Sequence, residues 1–380
     1  MDFLKPEKRY NIELQSPSKS IWSTFKKAFL AKKDFKSFWK KLDKKNLPPE
    51  LVKQTETFVN SPSYKHVSKF WRHCSINSFK VLSESSAKEK QNSIILDDYA
   101  SNTFFTERNF REINLKNLEN IKLDINIFKK HNNLDYYQSM SYNLVTSIYF
   151  LQLKKQIEKF YNKINKNFYD TFSHNIKIDN IEVNQHLMYS IVELEKINRI
   201  LDNKNENLNI LEFGAGYGRT ANLFFSLMKK IKYVIVDIPP SFYVSTLQFK
   251  KYYPNLKILH AFQVNDFNEM QKAIEENDII YIFPHQLKYL KENFFDLSIM
   301  LGVTLEMEPN DVKHYMVYVD KLCKNLYMKV FKYSGLPFSF YKVFRYNVKE
   351  DYFIPDNWKE LFLDLGIETD FFCHYGYKIK

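Results

Sequence analysis

The chain has 380 residues and only seven glycines, and three of those, Gly214, Gly216 and Gly218, alternate within the stretch NILEFGAGYGRTANLFF at 209–225. Glycine reaches positive φ without a steric penalty and lets another group come close to the backbone. The order here is a short apolar run, the glycines, then a helical stretch, which reads as strand, tight turn and helix. In a doubly wound sheet, ligands meet the carboxyl ends of the strands at such a turn. A chain this poor in glycine that concentrates it there predicts a turn built for close approach.

The surrounding pattern agrees. From about residue 205 onward, short apolar runs (NILEF, YVIVDI, LKILHAF, IIYIF, FDLSIML and LYMKVF) alternate with helical stretches. That alternation predicts an α/β fold, a doubly wound Rossmann-like sheet with helices on both faces. Upstream the character is different. Helical periodicity dominates 134–172 and 184–202, and Trp22, Phe25, Phe29 and Phe35, Phe38, Trp39 recur at helical spacing. Such stripes are expected as buried helix faces rather than as a membrane-surface helix. SSAKEKQNS at 85–93 reads as an exposed loop, and no internal repeat is evident. The expected organisation is therefore a mostly helical region over 1–180, placed to cap an acceptor site, and an α/β domain over 181–380.

Composition narrows the class. At 44% hydrophobic and 17% aromatic residues, the chain has enough apolar surface for a core, which excludes global disorder. Cys74, Cys323 and Cys373 are odd in number and far apart, which argues against a disulfide framework or a zinc cluster and fits a reducing, cytoplasmic setting. The N-terminal residues lack the apolar core of a secretory signal, and no run is long enough to span a membrane. The net charge of +12 is spread along the chain and comes with abundant Lys, Asn, Ile and Tyr, as translation of an AT-rich gene would give. No nucleic-acid partner is expected from it, although weak peripheral association with an anionic membrane remains compatible.

The glycine spacing separates two ligand classes. Dinucleotide-binding turns follow G-x-G-x-x-G, whose third glycine would fall on Arg219; here it comes one residue early, at Gly218, and an acid, Glu212, stands two residues before the first. The pattern E-x-G-x-G-x-G instead resembles the first motif of the class I S-adenosylmethionine-dependent methyltransferases. The resemblance implies S-adenosyl-L-methionine as cofactor, with Glu212 orienting its amino-acid end through the turn, Gly214, Gly216 and Gly218 making room, and Tyr217 packing on it. An acid is then expected at the end of the next strand to bind the ribose hydroxyls. YVIVDIPP supplies Asp237, about 20 residues beyond Gly216 as such folds use. In IIYIFPHQL, His285 and Gln286 occupy the loop where that family contacts adenine, and an ordinary surface histidine is the competing reading.

Taken together, LEFGAGYGRTA, YVIVDIPPSFYVSTLQF, FPHQL, FDLSIMLGVTLEM and YFIPDNWKELF resemble the bacterial sugar O-methyltransferases over roughly 180–375. The DIPPSFY segment is not the D/N-P-P-Y motif of nucleobase methylation, because Ile238 interrupts it and it follows the second strand instead of the fourth. The resemblance implies a sugar, nucleotide-sugar or glycan acceptor in surface-polysaccharide synthesis. A sugar hydroxyl needs a general base within hydrogen-bond reach. Glu306, after the fourth strand, is the first candidate, and an acid at a helix start is its equal alternative. His314 is the second candidate, against a plain helix-surface role. Acids near this strand show no metal-specific spacing, so no metal is expected. The rival readings are an RNA or protein methyltransferase and a non-catalytic binding protein on the same fold.

Overall fold

A computed structural model of the protein describes residues 34–67, 130–131, 136–170, 172–201, 207–331, 349–365 and 372–379, with short helical pieces between 71 and 83. The Trp22, Phe25, Phe29 stripe and the 85–93 loop lie outside the described residues. The upstream elements are α1 (Phe35–Lys41), α2 (Pro49–Asn60), α3 (Tyr136–Gln152) and α4 (Lys154–Phe160), then a hairpin of β1 (Ile176–Ile178) and β2 (Ile181–Val183). The hairpin turns on Asp179 and Asn180, both at positive φ, the conformation a two-residue turn between twisted strands demands. Helix α5 (Gln185–Leu201) leads into the sheet.

The sheet has eight strands: β3 (Leu208–Phe213), β4 (Ile231–Val236), β5 (Ile258–His260), β6 (Ile279–Ile282), β7 (Leu297–Leu301), β8 (Asn325–Phe331), β9 (Lys359–Leu365) and β10 (Phe372–Lys378). Their order is β5-β6-β4-β3-β7-β8-β10-β9. Pairing is parallel from β5 through β8, while β10 inserts antiparallel between β8 and β9. The fold class is the expected one, a mostly parallel Rossmann-like sheet behind a helical region. Each apolar run expected as a strand forms one.

Helices α6 (Arg219–Leu227), α7 (Ser241–Tyr252), α8 (Phe267–Glu276) and α9 (Pro309–Leu322) complete the domain. Their starts are legible chemically. Asp266 caps α8 by accepting the Glu269 N–H at 2.9 Å, and α9 begins with Pro309 in its first position and Asp311 in its first turn.

Side chains alternate across the strands, so the sheet has two distinct faces. Leu211, Phe213, Val234, Val236, Ile280, Ile282, Met300 and Met328 point to one, where α8 and α9 cover them. Ile210, Tyr233, Ile235, Tyr281, Ile299 and Tyr327 point to the other, against α5, α6 and α7. The second core is continuous with the helical region through Phe168, Phe172, Tyr142, Phe58, Leu51 and Phe35. The apolar interior thus crosses the 180/181 boundary. In α1, Phe35 and Trp39 are buried, so that aromatic stripe is a core face.

Candidate functional site

The glycine turn follows β3 directly, with φ of 68° at Gly214, 59° at Gly216 and 89° at Gly218. Two of these positions are also sterically closed to a side chain. A Cβ on Gly214 would lie 2.7 Å from Val303, just beyond β7, and one on Gly218 would lie 2.5 Å from the Phe249 ring on α7. The turn is therefore pressed against the carboxyl end of β7 on one side and against α7 on the other. Gly214 N–H also donates to the Val236 carbonyl at 2.9 Å, tying the turn to the end of β4.

Asp237 stands one residue past β4. Its Oδ2 accepts the Gly216 N–H at 3.0 Å and its Oδ1 accepts the Ile238 N–H at 2.8 Å. The acid and the glycines thus form one rim at the carboxyl ends of adjacent central strands. Burial pushes the Asp237 pKa up to about 7, while hydrogen bonds from Ile238, Gly216 and Ser241 pull the other way. Thr304, in the short helix Val303–Glu306 after β7, is fully buried, and its hydroxyl finds no hydrogen-bond partner among the described residues. Positive-φ glycines, at two of which a Cβ would clash, and a strand-end carboxylate hydrogen-bonded to the turn fit the ribose and backbone contacts of a nucleoside ligand.

Glu212 stands behind the turn, as expected of an acid that acts through it. It lies on the inner face of β3, buried, and accepts the Tyr233 hydroxyl at 2.7 Å. Burial raises its pKa to about 7, against the Tyr233 hydrogen bond and the Arg219 charge. Tyr217 likewise packs on protein. Its ring stacks on Phe172 at 3.9 Å between centroids, and its hydroxyl meets His186 Nδ1 at 2.8 Å. His186 is buried, which holds its pKa down at about 3 and keeps the imidazole neutral.

In the loop after β6, both ends of the Gln286 amide are engaged with backbone. Oε1 accepts the Phe283 N–H at 2.9 Å, and Nε2 donates to the carbonyls of Ala261 at 2.5 Å and Val264 at 2.9 Å. Gln286 shapes the loop from within. His285 remains partly accessible and is held by Ser63. Glu306 closes the short helix after β7, and its side chain lies outside the described residues. His314 sits on α9, where its ring meets Tyr315 and Tyr318 of the same helix. The turn, Asp237 and the β6 loop are thus brought to one end of the sheet, while Glu212 and Tyr217 support the turn from within.

Sequence reasoning missed a buried ionic cluster behind the turn. Arg219, the first residue of α6, bridges both carboxylate oxygens of Glu193 at 2.7 Å each, donates to Ser190 at 3.1 Å, and shares Glu193 with Lys329 at 3.7 Å. The available signal was Glu193 among the buried Leu, Ile and Val of α5, with His186 and Ser190 on the same face. Among the described residues, no group of three or more His, Cys, Asp or Glu is placed to hold a metal ion. No described helix is long and apolar enough to cross a membrane. A cavity of about 460 Å³ lies along α2, lined by Lys44, Lys45, Lys53 and Glu56 among others, and none of the turn residues borders it.

No protein-family model matches the sequence, and no curated protein matches it either. Solved structures do. The PH0226 protein from Pyrococcus horikoshii OT3 is 14% identical over 52% of this chain and 92% of its own, with a TM-score of 0.34. The bifunctional kinase-methyltransferase WbdD is 13% identical over 51% of this chain and 38% of its own, with a TM-score of 0.33. Geranyl diphosphate C-methyltransferase from Streptomyces coelicolor A3(2) is 9% identical over 51% of this chain and 80% of its own, with a TM-score of 0.32. The chain spans well under half the length of WbdD.

Proposed function

We propose that the protein is an S-adenosylmethionine-dependent methyltransferase that acts on a hydroxyl of a sugar, nucleotide sugar or glycan in bacterial surface-polysaccharide synthesis. The observation that carries the cofactor half of this reading is the hydrogen bond between Asp237 and the Gly216 N–H, which makes the glycine turn and the strand-end acid one rim. Asp237 accepts the ribose hydroxyls, Gly214 and Gly218 keep the turn bare and seated, and the Thr304 hydroxyl supplies a polar contact beside β7. The sulfonium cofactor brings the methyl group and a strong leaving group, so the protein chiefly positions the reactants. Glu306, with His314 as second candidate, takes the proton from the acceptor hydroxyl. The sugar acceptor rests on the sequence resemblance alone.

The experiment is a calorimetric titration of S-adenosylhomocysteine into wild type and Asp237→Asn, with circular dichroism to confirm that both are folded. The expected outcome is a dissociation constant on the order of micromolar for wild type, weakened at least about tenfold in the variant. No heat of binding to folded wild type overturns the cofactor reading.

A further inference from the structure

The ribose anchor fixes the direction in which a bound nucleoside lies. With the ribose at Asp237, just past β4, and the amino-acid tail at the turn after β3, the purine must extend away from the turn, toward the carboxyl end of β6, which borders β4 on its other side. That end carries Phe283, Pro284 and His285, and it is overlaid by a segment from the beginning of the chain. Phe58 of α2 packs on Phe283 with centroids 5.5 Å apart, and Gln54 reaches His260 at the end of β5 at 2.8 Å. Phe283 in turn stacks on Phe262 at 4.3 Å and 11°.

Ser63, just beyond α2, completes this contact. Its hydroxyl accepts the His285 backbone N–H at 2.8 Å and lies 2.8 Å from His285 Nδ1. The buried hydroxyl has no other hydrogen-bond partner among the described residues, so its own proton has one acceptor available, Nδ1. Nδ1 is therefore the unprotonated nitrogen, and the neutral ring carries its proton on Nε2. Burial, and then the charge of Lys288, lowers the His285 pKa and keeps the ring in that neutral form. A neutral imidazole with Nε2–H is a hydrogen-bond donor, which a purine ring nitrogen requires.

We infer that Ser63 is a positioning residue for the purine subsite: it fixes the tautomer and orientation of His285 so that Nε2–H donates to the base of the cofactor. This deepens the proposed function and rests on its cofactor reading. It also gives the early helical segment a role at the cofactor, distinct from capping an acceptor.

The test uses full-length wild type, Ser63→Ala and Ser63→Thr, with S-adenosylhomocysteine calorimetry and nitrogen NMR of labelled histidine. Wild type is expected to show His285 as the Nε2–H tautomer. Ser63→Ala is expected to show a tautomer mixture and about fivefold weaker binding, the loss of one neutral hydrogen bond, while Ser63→Thr, which keeps the hydroxyl, restores both. A purely structural role for Ser63 would leave the tautomer unchanged. An Nδ1–H tautomer in wild type, or unaltered affinity in folded Ser63→Ala, overturns the inference while leaving the cofactor reading standing. Absence of binding to wild type overturns both.

Discussion

The two faces of the central sheet are built from the same strands and differ in chemistry. On the face covered by α8 and α9, the central strands present Leu211, Phe213, Val234, Val236, Ile280, Ile282, Met300 and Met328, an almost wholly apolar interior. On the face covered by α5, α6 and α7, the same strands present Glu212, Tyr233, Tyr281, Tyr327 and Lys329, and His374 joins them from β10, donating to or accepting from Tyr327 at 2.7 Å. Glu193 is buried between the helices there, and Arg219, partly accessible, reaches in to it. This polar face is the one continuous with the helical region. An apolar face needs only volume and pattern to pack, whereas each buried polar group must find a partner in a defined geometry. The polar face is accordingly the one that fixes where the glycine turn sits, because Arg219 and Tyr217 tie it to α5.

That contrast can be broken by two substitutions that each remove little volume. Glu193→Gln takes away the carboxylate shared by Arg219 and Lys329 and leaves buried cations uncompensated, so it is expected to cost about 3–5 kcal/mol of unfolding free energy. Ile280→Val on the opposite face removes one buried methyl group and is expected to cost about 0.5–1.5 kcal/mol. Urea denaturation of both variants measures the difference. Equal costs would mean that the buried charges contribute nothing beyond packing.

A smaller pair of effects sharpens the comparison at the turn itself. Gly218 and Gly302 have similar backbone conformations, with φ of 89° and 73°. Alanine at either incurs about 1–2 kcal/mol of left-handed backbone strain. At Gly302 the added methyl meets nothing within 4 Å, whereas at Gly218 it meets Phe249 at 2.5 Å and Ser245 at 3.0 Å. Gly218→Ala is therefore expected to cost about 2–4 kcal/mol, with Gly302→Ala confined to the strain alone. Chemical denaturation that ranks Gly302→Ala as the worse variant would contradict the packing of α6 on α7.

How much of this was legible in sequence depends on how local each signal is. The central strands β3, β4, β6, β7 and β8 were readable because a strand buried on both faces is a nearly uninterrupted apolar run, and the edge strand β5 was readable through the apolar residues of LKILHAF. Strand β9 was not, because KELFLDL is an edge strand with exposed Lys359, Glu360 and Leu363, and its mixed composition hides it. The glycines and Asp237 were readable because strand, turn and acid lie close along the chain. Glu212 and Tyr217 stood at the right spacing, yet spacing does not say which face of the strand a side chain takes or which neighbours it meets. Gln286 illustrates the same limit, since a polar residue in a loop satisfies backbone carbonyls as readily as a ligand. Ser63 and His285 are 222 positions apart, and only tertiary packing brings them together.

A pH dependence tests whether the rim, and not the polar interior behind it, meets the ligand. Asp237 and Glu212 both have pKa values raised to about 7, from ordinary values of 3.8 and 4.5. For an acid, that shift means the folded chain holds a proton through the range between the ordinary and the raised value, and loses it as pH passes 7. Ribose hydroxyls donate to a carboxylate, so ligand binding draws the Asp237 proton away. Affinity for S-adenosylhomocysteine is then expected to be level above about pH 7 and to weaken by up to tenfold, about 1.4 kcal/mol, for each unit below it. Asp237→Asn removes the dependence. Glu212→Gln is expected to keep it, because the Glu212 carboxylate accepts the Tyr233 hydroxyl behind the turn. Calorimetry at several pH values with the three proteins reads this directly. A slope that vanished in Glu212→Gln and survived in Asp237→Asn would move the titrating group from the rim to the interior and reverse the roles assigned to the two acids.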